Sequence, residues 1–320
     1  MTGKKGDILL AVTGFDPQVW QSHLKSAAPD RQVMTDIADL ASTENIKYAV
    51  VWKQRPGLLN ALPNLQAIFS IGAGVDHIFA DPNVPHVPIV RVVADDLTDR
   101  MSEYVVWQVL DHHRKGPLYR KQQAEKLWHE DRRQPAACDV TVGILGLGVL
   151  GSDAARKLRA LGFRVTGWSR TQKHVDGIAC YHGGGGLREF LGGADIVVCL
   201  LPLTEATQGI LSKPLFIQMK RSGPLGSAVL INAGRGRLQN EADILAALDN
   251  GWLGAVSLDV FEEEPLLADS PLWSHPKVTV TPHAAATSDP AALIPPMIRQ
   301  MDAHERGQPF QNLVNRDAGY

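Results

Sequence analysis

Residues 141–151 read TVGILGLGVLG, an apolar run that leads directly into glycines at positions 146, 148 and 151. A segment with helical periodicity, 152–161, follows at once. Between a strand and a helix each glycine has its own physical role, since Gly146 permits a tight turn, Gly148 lets the backbone approach a pyrophosphate, and Gly151 allows close helix packing. Amides at the start of the helix then hold phosphate oxygens. The stretch predicts a dinucleotide-binding turn whose contacts are Gly146, Leu147, Gly148, Val149, Leu150 and Gly151.

Short apolar runs alternate with helix-period segments on both sides of this turn, which is typical of βαβ units around a parallel sheet. In the part that contains the turn, the predicted strands are 141–145, 164–168, 196–201, 228–232, 255–260 and 278–281. Before it, the predicted strands are 8–12, 48–52, 67–71 and 89–93. The fold class is therefore α/β. We expect two doubly wound parallel-sheet domains with a cleft between them, a Rossmann-type nucleotide-binding domain and a flavodoxin-like substrate domain.

The chain of 320 residues is long enough for two domains that each bury a core. We assign 102–287 to the dinucleotide-binding domain, with a helix at 102–113 as the bridge into it. Residues 1–101 and 288–320 then form a discontinuous substrate or catalytic domain. Two further predictions concern local structure: Pro295 and Pro296 break the helix in which they lie, and the four glycines at 183–186 form a flexible turn.

Composition excludes several classes of function. The 32 basic and 34 acidic residues are scattered, so we expect no nucleic-acid partner. The cysteines lack ligand spacing, which is typical of reduced cytosolic thiols. Neither a signal peptide nor a membrane span is predicted, so a cytoplasmic location without membrane contact is expected. The adjacent His112 and His113 diverge on a helix, and no metal is expected.

The end of strand 164–168 predicts the choice of cofactor. A protein that binds NAD normally has Asp or Glu here for the ribose 2′-hydroxyl, but this chain has Ser169, Arg170 and Thr171, and its next carboxylate is Asp176. A carboxylate would repel a 2′-phosphate, whereas two hydroxyls and a guanidinium can bind one. We therefore predict that NADPH is preferred over NADH.

Polar side chains follow three successive predicted strands, where open α/β sheets bind their ligands. They are Arg235 after 228–232, Glu264 after 255–260, and His283 after 278–281. Arginine presents a forked cation to carboxylate and carbonyl oxygens, and histidine side chains ordinarily titrate near neutral pH, which suits a general acid. A carboxylate beside that histidine would orient it. Three further cofactor contacts are predicted at or next to strand ends: Pro202, Ala233 and Asp259.

With these residues the chain resembles the D-isomer-specific 2-hydroxyacid dehydrogenase family over nearly its whole length. The matching segments are 146–151, 232–236, 259–266, 281–283 and 72–76. The resemblance implies that Arg235 is the substrate arginine, Glu264 the orienting glutamate and His283 the acid/base. It also implies a homodimer, and backbone amides at 72–74 that bind the substrate carboxylate; Trp52, Ala73, Gly74, Arg235 and His283 are the predicted substrate contacts.

Within the family the chain is similar to the bacterial glyoxylate and hydroxypyruvate reductases of type A, through 51–53, 271–276 and 315–320. That group favours NADPH and reduces a small 2-keto acid to the 2-hydroxy acid. Two alternatives stay open at this point. One is a non-catalytic protein that senses dinucleotides on the same scaffold, and the other is a reductase for a bulkier 2-keto acid such as phenylpyruvate.

Overall fold

The computed structural model describes residues 5–35 and 43–320. Residues 1–4 and 36–42 lie outside this description, and with them most of the polar segment at the start of the chain. The described residues form two compact units, one made of the chain up to Leu97 together with 288–320, and the other of 98–287. Helix α3 (Asp95–His113) contains the change from one unit to the other. It begins seven residues before the predicted helix start at 102, with Asp95 and Asp96 in its first turn, where carboxylates are stabilised.

The first unit is built on a parallel five-stranded sheet. Its described strands are β1 (Asp7–Val12), β2 (Val33–Met34), β3 (Ile46–Trp52), β4 (Ala67–Ser70) and β5 (Ile89–Arg91). They lie in the order β2-β1-β3-β4-β5, which is the flavodoxin-like order. The helices of this unit, apart from α3, are α1 (Pro17–Ala27), α2 (Asp76–Phe79) and α9 (Pro290–Glu305). The two-residue strand β2 was not predicted, because it is too short to show a pattern.

Helix α9 corrects the expectation that the proline pair would break it. Pro295 and Pro296 lie inside this 16-residue helix. Each removes one backbone donor, but Leu293, Ile294, Met297, Ile298 and Met301 are buried on the same helix. In addition, Arg31 pairs with Asp302 and Glu305 in its last turns, at 2.7 and 2.8 Å. Burial and ion pairing within the unit therefore outweigh the local preference of the two prolines.

The second unit is built on a parallel seven-stranded sheet. Its described strands are β6 (Thr141–Leu145), β7 (Arg164–Ser169), β8 (Ala179–His182), β9 (Ile196–Cys199), β10 (Val229–Asn232), β11 (Ala255–Leu258) and β12 (Val278–Val280). Their order, β12-β11-β10-β9-β6-β7-β8, is the doubly wound Rossmann order with one added edge strand. The described helices are α4 (Gly116–Ala124), α5 (Val149–Ala160), α6 (Gly183–Gly193), α7 (Lys213–Phe216) and α8 (Glu241–Asp249). The predicted α/β class with two parallel-sheet units is confirmed.

Two local predictions in this unit are wrong. The sequence indicated six strands, but β8 adds a seventh at the sheet edge, paired with β7 from Thr166 to Ser169. Its four residues, ACYH, are exposed or half-buried and none is β-branched, so they lack the pattern by which the buried strands were predicted. The glycines at 183–186 form the first turn of α6 instead of a flexible turn, because Phe190 and Leu191 are buried further along the same helix. In the described part of the chain, none of the helices has the length and hydropathy required to traverse a bilayer.

Candidate active site

The glycine turn between β6 and α5 contains two glycines that the fold itself requires. Gly146 has φ 115°, and a Cβ there would lie 2.8 Å from the carbonyl oxygen of Leu200. A Cβ on Gly151 would lie 2.0 Å from the carbonyl oxygen of Gly146. Side chains at these positions would collide with backbone that cannot move aside. Leu147 fills the space above Gly167 of β7 and is buried.

Gly148 is different, because no protein atom requires it to be glycine. It has φ −81°, and a Cβ there would meet no heavy atom within 4 Å. It is the N-cap of the 12-residue helix α5, where no side chain caps the first amides. These amides at a helix start can bind an anion. The open space at Gly148 therefore fits a dinucleotide pyrophosphate that approaches the backbone.

The tip of β7 contains the residues predicted to select the cofactor. Ser169 is buried, and its hydroxyl donates to the carbonyl oxygen of Thr171 at 2.7 Å, so it shapes the turn. Arg170 and Thr171 are exposed. The next carboxylate, Asp176, lies 3.0 Å from Nε2 of His174. This tip thus presents a guanidinium and a hydroxyl, without a carboxylate among residues 169–175.

Strand register places the three predicted catalytic side chains after neighbouring strands. Asn232 at the end of β10 pairs with Leu258 of β11, and Leu258 pairs with Val280 of β12. Because these strands are parallel and end in register, the loops with Arg235, Glu264 and His283 leave the same edge of the sheet. Pro202 and Ala233 follow β9 and β10 at that edge. The backbone amide of Ala233 donates to the carbonyl oxygen of Cys199 at 3.2 Å.

His283 and Glu264 form a direct pair. Nδ1 of the imidazole lies 3.0 and 2.9 Å from the two carboxylate oxygens. A carboxylate accepts, so Nδ1 donates and the other ring nitrogen, Nε2, is the one left for chemistry. The side chains are 37% and 24% exposed, which keeps this nitrogen accessible. Glu264 Oε1 also accepts from the amide of Phe261 at 3.3 Å.

Asp259 holds the loop from which the imidazole projects. Its carboxylate, buried, accepts from the Thr281 hydroxyl at 2.7 Å and from the amides of Ala284 and Ala285 at 2.8 and 3.0 Å. Its carbonyl oxygen accepts from the amide of His283, which has φ 52°. A left-handed conformation is costly for histidine, and these bonds maintain it. The assignment of Asp259 as a cofactor contact stays a prediction; in the structure both of its carboxylate oxygens also bind protein groups.

A tyrosine extends this network from α3. The Thr281 hydroxyl has one proton, which it donates to Asp259, so the Tyr104 hydroxyl donates to Thr281 across 2.8 Å. Burial raises the pKa of Tyr104 well above its usual range and keeps that donor protonated. The sequence assigned no role to Tyr104, and Thr281 entered only as part of the matching segment 281–283, because the bond between them joins segments 177 residues apart.

The arginine loop is held by two buried amide side chains, Asn232 and Gln239, to which the sequence assigned no role. Asn232 Nδ2 donates to the carbonyl oxygen of Arg235 at 3.1 Å and to Oε1 of Gln239 at 2.7 Å. Gln239 Nε2 donates to the carbonyl oxygen of Val260 at 2.9 Å. Gln239 therefore links the loop that contains Arg235 to the loop that leads to Glu264. A Cβ on Gly236 would lie 1.7 Å from the Phe261 carbonyl oxygen, so the two loops are also in close backbone contact.

The predicted substrate contacts of the first unit lie around the tip of β4. Ala73 and Gly74 are half-buried in the loop that follows this strand. Trp52, at the end of β3, occupies the position a side chain on Gly72 would need, since a Cβ there would lie 2.2 Å from its ring. In the described residues no group of three or more His, Cys, Asp or Glu side chains is arranged to hold a metal ion.

A dinucleotide-binding turn and a histidine oriented by a carboxylate, both on one doubly wound sheet, define the class of dinucleotide-dependent dehydrogenases. The sequence profile of the D-isomer specific 2-hydroxyacid dehydrogenase NAD binding domain matches residues 106–285, more than half of the chain. The glyoxylate/hydroxypyruvate reductase A of Yersinia enterocolitica is 38% identical over 314 residues, which cover 96% of this chain and 97% of that protein. The chain belongs to the D-isomer specific 2-hydroxyacid dehydrogenase family, as its motifs predicted.

Solved structures agree with this assignment. The NADPH-dependent glyoxylate/hydroxypyruvate reductase of Sinorhizobium meliloti, in complex with NADP and sulfate, is 47% identical and superposes with a TM-score of 0.93, covering 99% of this chain and 100% of that chain. A probable 2-hydroxyacid dehydrogenase of Rhizobium etli, in complex with NADP, HEPES and tartaric acid, is 44% identical with a TM-score of 0.93 and the same coverage. Both structures contain NADP.

Proposed function

We propose that this protein reduces a small 2-keto acid, glyoxylate or hydroxypyruvate, to the 2-hydroxy acid with NADPH. The observation that carries the proposal is the His283–Glu264 pair, at 2.9 Å, on the sheet that also contains the glycine turn. It is supported by similarity to reductases that are named for these substrates. When bound, NADPH supplies a hydride to the carbonyl carbon of the keto acid.

The protein's part in that reaction is to bind, polarise and protonate. His283 in its imidazolium form donates the Nε2 proton to the oxygen of the former carbonyl, which becomes the hydroxyl as the carbon accepts the hydride. Glu264 orients the ring by accepting the hydrogen bond from Nδ1. Arg235 binds the carboxylate and carbonyl oxygens through its forked donors. Amides of the 72–74 loop bind the substrate carboxylate, with Trp52 as a wall of the pocket.

The proposed preference for NADPH depends on the tip of β7. Arg170 supplies charge and Thr171 a hydroxyl to a 2′-phosphate, and no carboxylate opposes the phosphate there. Ser169 supports the turn through its bond to Thr171. The relatives of Sinorhizobium meliloti and Rhizobium etli were solved with NADP, which supports the same preference.

We further propose that 102–287 binds the dinucleotide, that 1–101 with 288–320 binds the substrate, and that the protein is a cytoplasmic homodimer. Large apolar side chains are exposed between α3 and the segment after α4: Trp107, Leu118, Leu127 and Trp128. Such exposure supports a protein contact. The free thiols Cys138, Cys180 and Cys199 fit a reducing compartment. The near balance of 32 basic and 34 acidic residues argues against nucleic acid as a partner.

A steady-state panel tests the proposal. We expect oxidation of NADPH with glyoxylate or hydroxypyruvate, slower oxidation of NADH, and poor turnover of phenylpyruvate, followed by the absorbance of the reduced nicotinamide. His283→Ala should lower kcat by at least a hundredfold and leave NADPH binding unchanged. Binding of NADPH without turnover of any keto acid would favour a dinucleotide sensor, and preference for phenylpyruvate would favour a larger pocket.

A separate substitution tests the preference for NADPH over NADH. Arg170→Ala should raise the KM for NADPH about tenfold or more and leave the KM for NADH nearly unchanged, since a charge-assisted bond contributes about 1.5–3 kcal/mol. Arg306→Ala is the matched control, because it removes an exposed arginine from the first unit. Equal effects of Arg170→Ala on both cofactors would refute the assigned role.

A further inference from the structure

A buried hydrogen-bond chain lies beneath the 72–74 loop. Ser70, the last residue of β4, is fully buried, and its hydroxyl lies 3.0 and 3.1 Å from the carbonyl oxygens of Gly72 and Gly74. The same hydroxyl oxygen accepts from the amide of Gly72 at 3.3 Å. One side chain therefore contacts both ends of the loop whose amides we assign to the substrate carboxylate.

His77 completes the chain from the first turn of α2. Its Nε2 lies 3.1 Å from the Ser70 hydroxyl, and its Nδ1 accepts from the amide of Lys53 at 3.3 Å. A backbone amide can only donate, so Nδ1 carries no proton and Nε2 carries it. The ring therefore donates to Ser70, and the Ser70 proton is directed at the loop carbonyl oxygens. This fixes one tautomer of His77 and one orientation of the serine hydroxyl.

Packing connects the same histidine to the loop by a second route. The His77 ring lies 4.5 Å from the Trp52 ring, and Trp52 covers Gly72. Lys53, which donates to the histidine, has φ 46°, a conformation that costs energy for lysine. The hydrogen bond from its amide offsets part of that cost. The ends of β3 and β4 are thus joined through one imidazole.

We propose that His77, acting through Ser70, is the positioning residue that sets the conformation of the 72–74 loop and thereby the affinity for the keto-acid carboxylate. This inference rests on the proposed function, which assigns the loop amides to that carboxylate. His77 does not touch the reacting atoms in this role. Because a loop that binds the carboxylate equally in ground and transition states changes affinity alone, disturbing it should raise KM while kcat is maintained.

Two substitutions separate the two hydrogen bonds of the imidazole. In His77→Asn the short amide can reach the Nδ1 position and keep the bond from Lys53, but it cannot reach Ser70. In His77→Gln the longer amide can reach the Nε2 position and donate to Ser70. We expect His77→Asn and Ser70→Ala to raise the KM for the keto acid about three- to tenfold, whereas His77→Gln stays within about twofold of the wild type. His86→Asn, at an exposed histidine of the same unit, is the control.

Two further measurements make the outcome decisive. The dissociation constant for NADPH should be unchanged in all variants, because the glycine turn lies in the second unit. Amide hydrogen exchange of residues 70–75 in the full-length protein should accelerate in His77→Asn and Ser70→Ala but not in His77→Gln. Equal KM values for the Asn and Gln variants, or unchanged exchange in both Asn and Ala variants, would overturn the inference. Failure of the wild type to reduce any keto acid, with the exchange pattern as expected, would instead refute the proposed function.

Discussion

Gly148→Ala offers the sharpest separation of folding from function in this chain. The added methyl meets no heavy atom within 4 Å, and φ is −81°, so alanine is accommodated without strain. Alanine is a poorer N-cap than glycine, which costs some tenths of a kcal/mol of stability. It also reduces the entropy of the unfolded chain, which stabilises the folded state by about 0.4–1 kcal/mol. These effects nearly cancel. The melting temperature should therefore change by less than about 2 °C.

Binding of NADPH should respond strongly to the same methyl group. It projects into the space in front of α5, where the pyrophosphate must approach the backbone. Displacing the pyrophosphate lengthens or breaks at least one charge-assisted bond to a helix amide, each of which contributes about 1.5–3 kcal/mol. Because about 1.4 kcal/mol corresponds to a tenfold change, the dissociation constant should rise roughly 10- to 150-fold.

Fluorescence titration with NADPH and thermal unfolding on the same samples measure both effects. Gly184→Ala is the matched control: its Cβ also meets no heavy atom within 4 Å, it lies in the first turn of α6, and it should leave binding unchanged. Gly151→Ala is the opposite control, since its Cβ lies 2.0 Å from a backbone oxygen and should destabilise the unit. An unchanged affinity in Gly148→Ala, or a loss of stability like that of Gly151→Ala, would refute the assignment of the open space to the cofactor.

Three further predictions concern buried polar groups. Arg31→Met removes the buried cation from Glu305 and from Asp302, which keeps Lys5 at 2.9 Å. Because both carboxylates are partly exposed, the free energy of unfolding should fall by about 1–3 kcal/mol in urea titrations. Burial opposes ionisation of the Asp302 and Glu305 carboxyls, but the bonds from Arg31 lower the pKa of each. The stability that the variant loses relative to the wild type should therefore shrink as the pH falls below the ordinary pKa values of 3.8 and 4.5. A difference in stability that does not change with pH would contradict this. Burial lowers the pKa of His112 from 6.5 to about 4. Because the unfolded chain then binds the proton more readily, the free energy of unfolding should decline by roughly 3 kcal/mol as the pH falls from 6.5 towards 4. His112→Gln should flatten that decline in thermal scans. Gln239→Leu leaves two buried hydrogen-bonding groups unsatisfied and should cost about 1–3 kcal/mol of stability and raise the KM for the keto acid, whereas an unchanged KM would show that the arginine loop needs no such support.

The elements that could be predicted are those in which local pattern and burial agree. The residues of β6 lie as predicted at 141–145, and the ends of β7, β10, β11 and β12 differ from the predicted ones by at most two residues. Apart from the half-buried edge strand β12, each of these strands has neighbouring strands on both sides, so most of its residues are buried and apolar. The glycines of the predicted phosphate-binding turn and the polar residues at strand ends are likewise properties of short segments.

The elements that were missed or misjudged depend on distant partners. Edge strand β8 is exposed or half-buried because one side has no neighbouring strand. Helix α9 retains two prolines because five of its residues are buried and two are ion-paired with Arg31. The contacts that hold His283 come from Asp259, 24 residues earlier in the chain, and from Tyr104 through Thr281. A sequence pattern cannot show such partners, since they are separated by many residues and share no period.

The amino-acid sequence by itself determined the α/β class, the glycine turn after β6, the family and the identity of the residues at the strand tips, because these follow from periodicity and from chemistry within a few consecutive residues. Only the tertiary structure decided how those residues are held: the Nδ1–carboxylate pair of His283, the link through Gln239, and the tautomer of His77. Each of these is a hydrogen bond between separate segments. Its existence depends on folded distances and burial, which no local stretch of the chain specifies.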